Sequence, residues 1–333
     1  MPSRLPGFRP VLTIITFAGL LIYWLTADFF GYEIIAEIAV FAILAMALDF
    51  LAGYGGLVSL AQGALFGIGA YAFAYSAATW EIAVPWAMIL AVVISGAVAL
   101  IVGALASGVT GIFFIMITLA LGEMAHEFFF KSPLFGGDDG FFGIPRLDLT
   151  PIGIDLMDPA TFTLLLLVCV LAVFLKLRWL VASPYGLTLI GLHENSHRLR
   201  ALGLPVRLYK TTAFALAGAI SGFAGSLIAQ HTSFISPQLL HWTTSGEILV
   251  MLIVGGLGTL IGPLVGVTLV VLLKHQLGDY TDYWQFWLGL VLIAVVLSGR
   301  NGVVGALEDL CLYILRKSGR REPKGEKTSN AAG

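Results

Sequence analysis

The chain has 333 residues, of which 58% are hydrophobic and 11% charged, with a formal net charge of −2. A soluble domain carries about 25% charged residues and must cover its exterior with polar groups, so these proportions exclude a soluble fold, a disordered chain and a soluble nucleic-acid binder. Cys169 and Cys311 are the two cysteines; they exclude a disulfide scaffold and are read as free thiols.

Residues 1–10 form a short polar segment with Arg4, Arg9 and three prolines. The apolar run 11–27 that follows is long enough to approach a ~30 Å hydrocarbon core and shows no small-x-small cleavage site. It is read as a first transmembrane helix rather than a signal peptide. Further spans are expected at 34–51, 57–78, 83–105, 109–130, 160–177, 211–230, 246–258, 261–275 and 283–299. Gly255-Gly256-Leu257-Gly258 and Gly262-Pro263 break the 246–275 stretch into two short helices. The reading is an all-α membrane protein, a polytopic helical bundle of about ten spans with short or broken helices among them. The transmembrane domain covers 11–299, with an outer loop at 131–159, a cytoplasmic loop at 183–210 and a cytoplasmic tail at 300–333. Within the tail, Val303–Lys317 has the pattern of an interfacial helix, and the polar, basic end from 318 onward is expected to be disordered.

Charge placement orients this arrangement. With both termini in the cytoplasm, all of the 18 basic residues except Lys131, Arg146 and Lys274 fall on the cytoplasmic side, as the positive-inside rule requires. Nine spans would put either the tail or the 178–210 loop on the wrong side, so the charge pattern supports the break at 255–263.

Glycine is frequent, at 39 residues. Gly63-x-x-x-Gly67, Gly218-x-x-x-Gly222 and Gly262-x-x-x-Gly266 place small residues on one helical face, as close helix packing in lipid requires. Gly55-Gly56-Leu57-Val58-Ser59-Leu60 echoes Gly255-Gly256-Leu257-Gly258-Thr259-Leu260; a parallel repeat around a central pathway and a chance match in a glycine-rich chain are both open.

Ionisable residues inside spans cost about 2.5–3.5 kcal/mol at a helix centre on insertion scales, so they face protein or a water-filled cavity. Glu37, Asp49, Glu123, His126, Glu127 and Glu247 are such residues. Asp49, Glu123 and Glu247, with Gln62 nearby, are candidates for lining a transport pathway; interhelical hydrogen bonding that holds the bundle is the other reading. His193-Glu194-Asn195-Ser196-His197 spells HExxH, which on a helix can bind zinc. An intramembrane zinc metalloprotease is therefore a remote alternative, weakened by the charged setting and the lack of a third ligand. No Gly-x-x-x-x-Gly-Lys-[Ser/Thr] nucleotide-binding loop occurs.

Five segments resemble, in order, the signatures of permease subunits of branched-chain amino acid ABC transporters, and of the longer of their two permease types. They are LDFLAGYGGLVSLAQGALFGIGAYAFA (48–74), FFIMITLALGEM (113–124), GGDDGFFGIP (136–145), SPYGLTLIGLHENSHRLRALGLPVRLYKTTAFALAGAISGFAGSL (183–227) and SGEILVMLIVGGLGTLIGPLVG (245–266). The pattern departs at Asp49, where Asn is expected, at Gln62, where His is common, and at Arg198-Leu199, which replaces a small pair. The resemblance implies an importer of branched-chain or related amino acids working by alternating access in the cytoplasmic (inner) membrane. The same machine acting on urea, short amides or aromatic acids, and an independent secondary carrier, are alternatives.

It also implies the partners: a second homologous permease, two cytoplasmic ATPases and an extracytoplasmic solute-binding protein. ATP and Mg2+ would bind on the ATPases, and this chain would hold no cofactor or metal. Residues 187–202 would form a short helix gripping the ATPase, with Gly186 and Gly203 at its ends and Glu194 and Arg200 as polar contacts. Asp138, Asp139 and Phe141 would meet the binding protein.

Overall fold

The computed structural model describes residues 8–148, 150, 153, 155–280, 286–287, 289–290, 293 and 302–319. In chain order the helices are α1 (Phe8–Thr26), α2 (Phe29–Asp49), α3 (Gln62–Ala78), α4 (Val84–Ala106), α5 (Ile112–Lys131), α6 (Pro159–Ala182), α7 (Pro184–Ala201), α8 (Val206–Thr232), α9 (Trp242–Gly255), α10 (Ile261–Tyr280) and α11 (Gly302–Gly319). Among the described residues six helical stretches are long and apolar enough to cross a membrane, and α1 and α9 are shorter apolar helices. The chain is thus an all-α polytopic bundle. The expected span 283–299 lies, apart from isolated positions, outside the described residues, as do 1–7 and 320–333.

α2 is the central post. Its sequence is apolar on all sides, which in lipid marks a helix surrounded by protein, and every residue from Ile38 to Asp49 except Phe41 is buried. A π-helical turn, Phe50–Tyr54, prolongs it. α4 and α5 instead leave most of their apolar surface exposed.

α3, α4 and α8 are tied by small residues. Ser95 Oγ of α4 lies 2.8 Å from the carbonyl oxygens of both Leu65 and Gly218. Gly218 and Gly222 of the second predicted glycine pair press on Ala99 and Ser95, and Gly225 lies on the backbone of Phe66 and Ala70. Close backbone approach of this kind is what holds helices together where lipid removes the hydrophobic drive. The third pair, Gly262 and Gly266, lets α10 fold back against Gly255 of α9.

Two expectations need correction. The span expected at 57–78 becomes helical only at Gln62, and residues 55–61 are an irregular break after the π-helical turn. The 246–275 stretch is two helices, as expected, but α9 starts at Trp242, with a 3-10 turn at Pro237–Leu240 just before it.

At the end of the bundle away from α7, the 132–158 segment is anchored to the end of α8. Its strand β1 (Phe141–Phe142) pairs antiparallel with β2 (Phe234–Ile235). Arg146 donates to the carbonyls of Gln230 at 2.8 Å and His231 at 2.7 Å, satisfying helix-end acceptors, and its guanidinium lies over the Phe162 ring.

Candidate functional site

The candidate centre lies where helices are interrupted inside the bundle. In lipid an interrupted helix frees backbone N–H groups that must find protein acceptors. Asp49, at the end of α2 and fully buried, supplies them. Its Oδ1 accepts from Gly258 N–H at 2.6 Å and its Oδ2 from Leu260 N–H at 3.0 Å. Both donors belong to the break between α9 and α10. Leu260 has a φ of 57°, a left-handed conformation that costs about 1–3 kcal/mol in a non-glycine residue; the Asp49 carboxylate holds it. Gly53 makes the contact possible, because a Cβ there would run into the Asp49 carboxylate and the Gly258 backbone. The second echoing segment therefore meets the residues just before the first, Asp49 and Gly53.

A second junction lies where α3 and α9 begin. Ser245 Oγ accepts from Gly63 N–H at 2.7 Å. Glu123 of α5 accepts from Trp242 N–H at 2.9 Å, a carboxylate on the positive end of α9. His126 Nδ1 is 3.9 Å from the other Glu123 oxygen. Gln62, fully buried, accepts from Ser221 Oγ at 3.2 Å and leaves its Nε2 without a partner among the described residues. Gln62 and Glu123 thus share one junction, while Asp49 belongs to the first. Glu247 is separate: it sits half-buried in the field of Lys274 and Glu37. Glu37 is paired with Lys274 at 2.9 Å and His275 at 2.8 Å, and Glu127 with Lys131 at 2.7 Å on the surface.

α7 closes one end of the bundle and touches the first junction. Ser183 caps it, accepting from Gly186 N–H, and Pro184 opens it. Gly186 is therefore not the start of the helix; it lies in the first turn, where a Cβ would strike the Val181 backbone at the end of α6. Gly203 does end it: Gly203 and Leu204 N–H return to the carbonyls of Arg200 and Leu199 with Gly203 at positive φ. Tyr185 pins α7 to α8 through Thr212 at 2.9 Å, and burial pushes its hydroxyl above the usual tyrosine range. His193 Nδ1 donates to the Gly53 carbonyl at 3.2 Å, and its ring covers Gly56. Glu194 and Arg200 are exposed on α7, and Glu194 also borders an open cavity shared with the start of α5.

Asn195 interrupts α7 with non-helical angles, and its side chain caps the residues beyond by accepting from Arg198 N–H at 3.0 Å. His193 and His197 are thus not one turn apart on a continuous helix, which removes the geometry HExxH needs. Among the described residues no group of three His, Cys, Asp or Glu is placed to hold a metal ion.

At the opposite end, Asp138 and Asp139 are exposed in a 3-10 turn. Phe141 is half-buried, and the neighbouring Phe142 stacks on Phe234 with ring centres 4.4 Å apart.

Sequence reasoning missed His193 as a contact to α2, because HExxH drew attention to metal chemistry. It also counted Lys210 only as a topological charge, although it lies in the second turn of α8 and is buried.

A family model described as branched-chain amino acid transport system, permease component, matches residues 30–296. The high-affinity branched-chain amino acid transport system permease proteins LivM of Salmonella typhimurium and Escherichia coli are each 26% identical over 288 residues, covering 80% of this chain and 68% of the relatives. The L-arabinose ABC transporter permease protein AraH of Azospirillum brasilense is 27% identical over 34% of this chain and 36% of its own length. No solved structure matches. With its apolar helices, the chain is a multi-pass membrane protein, and it belongs to the family of branched-chain amino acid transport system permease components.

Proposed function

We propose that this chain is the translocating subunit of an ATP-driven importer of branched-chain or related amino acids that works by alternating access. Its α7 end faces the cytoplasm and its 132–158 segment the outside. The partners are a second homologous permease, two ATPases that carry ATP and Mg2+, and an extracytoplasmic binding protein that docks near Asp138, Asp139 and Phe141. The observation that carries this reading is the seat of α7 on the break in α2: His193 bonds Gly53, and Asp49, one helical turn away, holds the break between α9 and α10.

On this reading the ATPase grips the exposed face of α7 at Glu194 and Arg200. Displacement of α7 moves Gly53, and with it the hydrogen-bonded pair of breaks, as one body. The second junction, around Gln62, Ser245 and Glu123, sits beside the same moving segment and forms the inner part of the pathway. Rigid shifts of packed elements of this kind are the usual means of switching between two arrangements.

The test is reconstitution in liposomes with and without the co-encoded ATPases, with radiolabelled L-leucine and the binding protein outside. Uptake that needs the ATPases and ATP is the expected result. Uphill uptake by the permease chain alone would make it a secondary carrier and end the proposal.

A further inference from the structure

Lys210 is 4% exposed. Among the described residues it has no hydrogen-bond or ion-pair partner, and the charge that acts on it is the like charge of Arg200. The lysine stem is covered while its ammonium, with no acceptor from the protein and a like charge nearby, is open to an anion from the cavity. Lys210 borders a cavity of about 460 Å³, open on the α7 end of the bundle, a size usual for small-molecule sites.

The first turn of α5 opens on the same cavity at Gly111, and that helix end has no side-chain cap. The Phe114 and Ile115 N–H groups there are taken by the Gly111 carbonyl, so this helix end adds its positive dipole, not free donors, to the anion-binding character of Lys210. Glu194 borders the cavity as the opposite charge, and Leu57, Phe114 and Ile115 supply an apolar wall. A cation with a helix N-terminus, a carboxylate and an aliphatic wall match the α-carboxylate, α-ammonium and side chain of an aliphatic amino acid.

We infer that this cavity is a cytoplasmic exit site for an amino-acid zwitterion, with Lys210, in the field of the α5 dipole, holding its carboxylate and Glu194, in the state in which the ATPase has let go of it, its ammonium. This rests on the importer reading and deepens it, because neutral urea or a short amide would leave Lys210 unpaired. His193 borders the same cavity, so the site adjoins the contact between α7 and α2.

The test uses the full transporter complex in inside-out vesicles, carrying Ser196→Cys at the cavity wall in a Cys169→Ser, Cys311→Ser background. The rate of maleimide labelling is read with L-leucine, 4-methylpentanoate or isoamylamine on the cytoplasmic side. L-leucine is expected to slow labelling at least fivefold. Lys210→Met should abolish that protection and Lys210→Arg should retain it, with membrane abundance of each variant checked. Protection that survives Lys210→Met overturns the site. Protection by 4-methylpentanoate but not by L-leucine overturns the zwitterion assignment. No protection by any carboxylate, in a complex that still takes up L-leucine with ATP, overturns the site and leaves the importer standing.

Discussion

Asp49 and Gly258, 209 residues apart in sequence, are joined by a 2.6 Å hydrogen bond from the Gly258 amide to the Asp49 carboxylate. The bond links the end of one interrupted helix to the break after another. Asp49 also accepts from Leu260, so one side chain satisfies two buried donors. Asp49→Ala would leave both unpaired, at about 1–3 kcal/mol each. The expected outcome is a clear fall in thermal stability of the purified protein. Asp49→Asn keeps one carbonyl acceptor and should lose roughly half as much. Equal stability of Asp49→Ala and the parent would show that the carboxylate does not hold the break.

Gly53→Ala should be severe, because its methyl group has no space beside Asp49 and Gly258. Gly246→Ala in α9 meets nothing within 4 Å and should be neutral or slightly stabilising, since alanine is favoured over glycine in a helix by about 1 kcal/mol. Melting temperature and membrane yield of the two variants, measured side by side, check this contrast.

Arg146→Gln removes the guanidinium that satisfies the carbonyls of Gln230 and His231 and covers the Phe162 ring. The 132–158 segment should loosen while the bundle stays intact. Limited proteolysis should cut within this segment several-fold faster in the variant; unchanged cleavage would mean that β1 and its pairing with β2 suffice.

How far such features are legible in the sequence depends on whether their cause is local. The break between α9 and α10 was readable because Gly255, Gly256, Gly258 and Pro263 stand in it. The break after α2 was marked as well, by Gly53, Gly55 and Gly56 between the spans expected at 34–51 and 57–78, but its extension through Leu57–Ala61 was not; the start of α3 is set by partners far away, with Ser245 on Gly63 and Thr118 on Leu60. Asp49 and Glu123 were singled out as costly ions in lipid, but their partners lie 209 and 119 residues off, and only the fold reveals that both serve freed backbone amides. The helix end at Gly203 was readable from Gly203 and Pro205. Asn195 sits in a helix-compatible polar stretch, and nothing local distinguishes it as a mid-helix cap.

The central claim is that motion of α7 reaches the pathway through His193 and Gly53. The most direct measurement is ATP hydrolysis and L-leucine uptake recorded together in liposomes holding the complete complex with His193→Ala. Hydrolysis that continues while uptake falls at least tenfold is the predicted result. Uptake and hydrolysis both at the parental level would contradict the account.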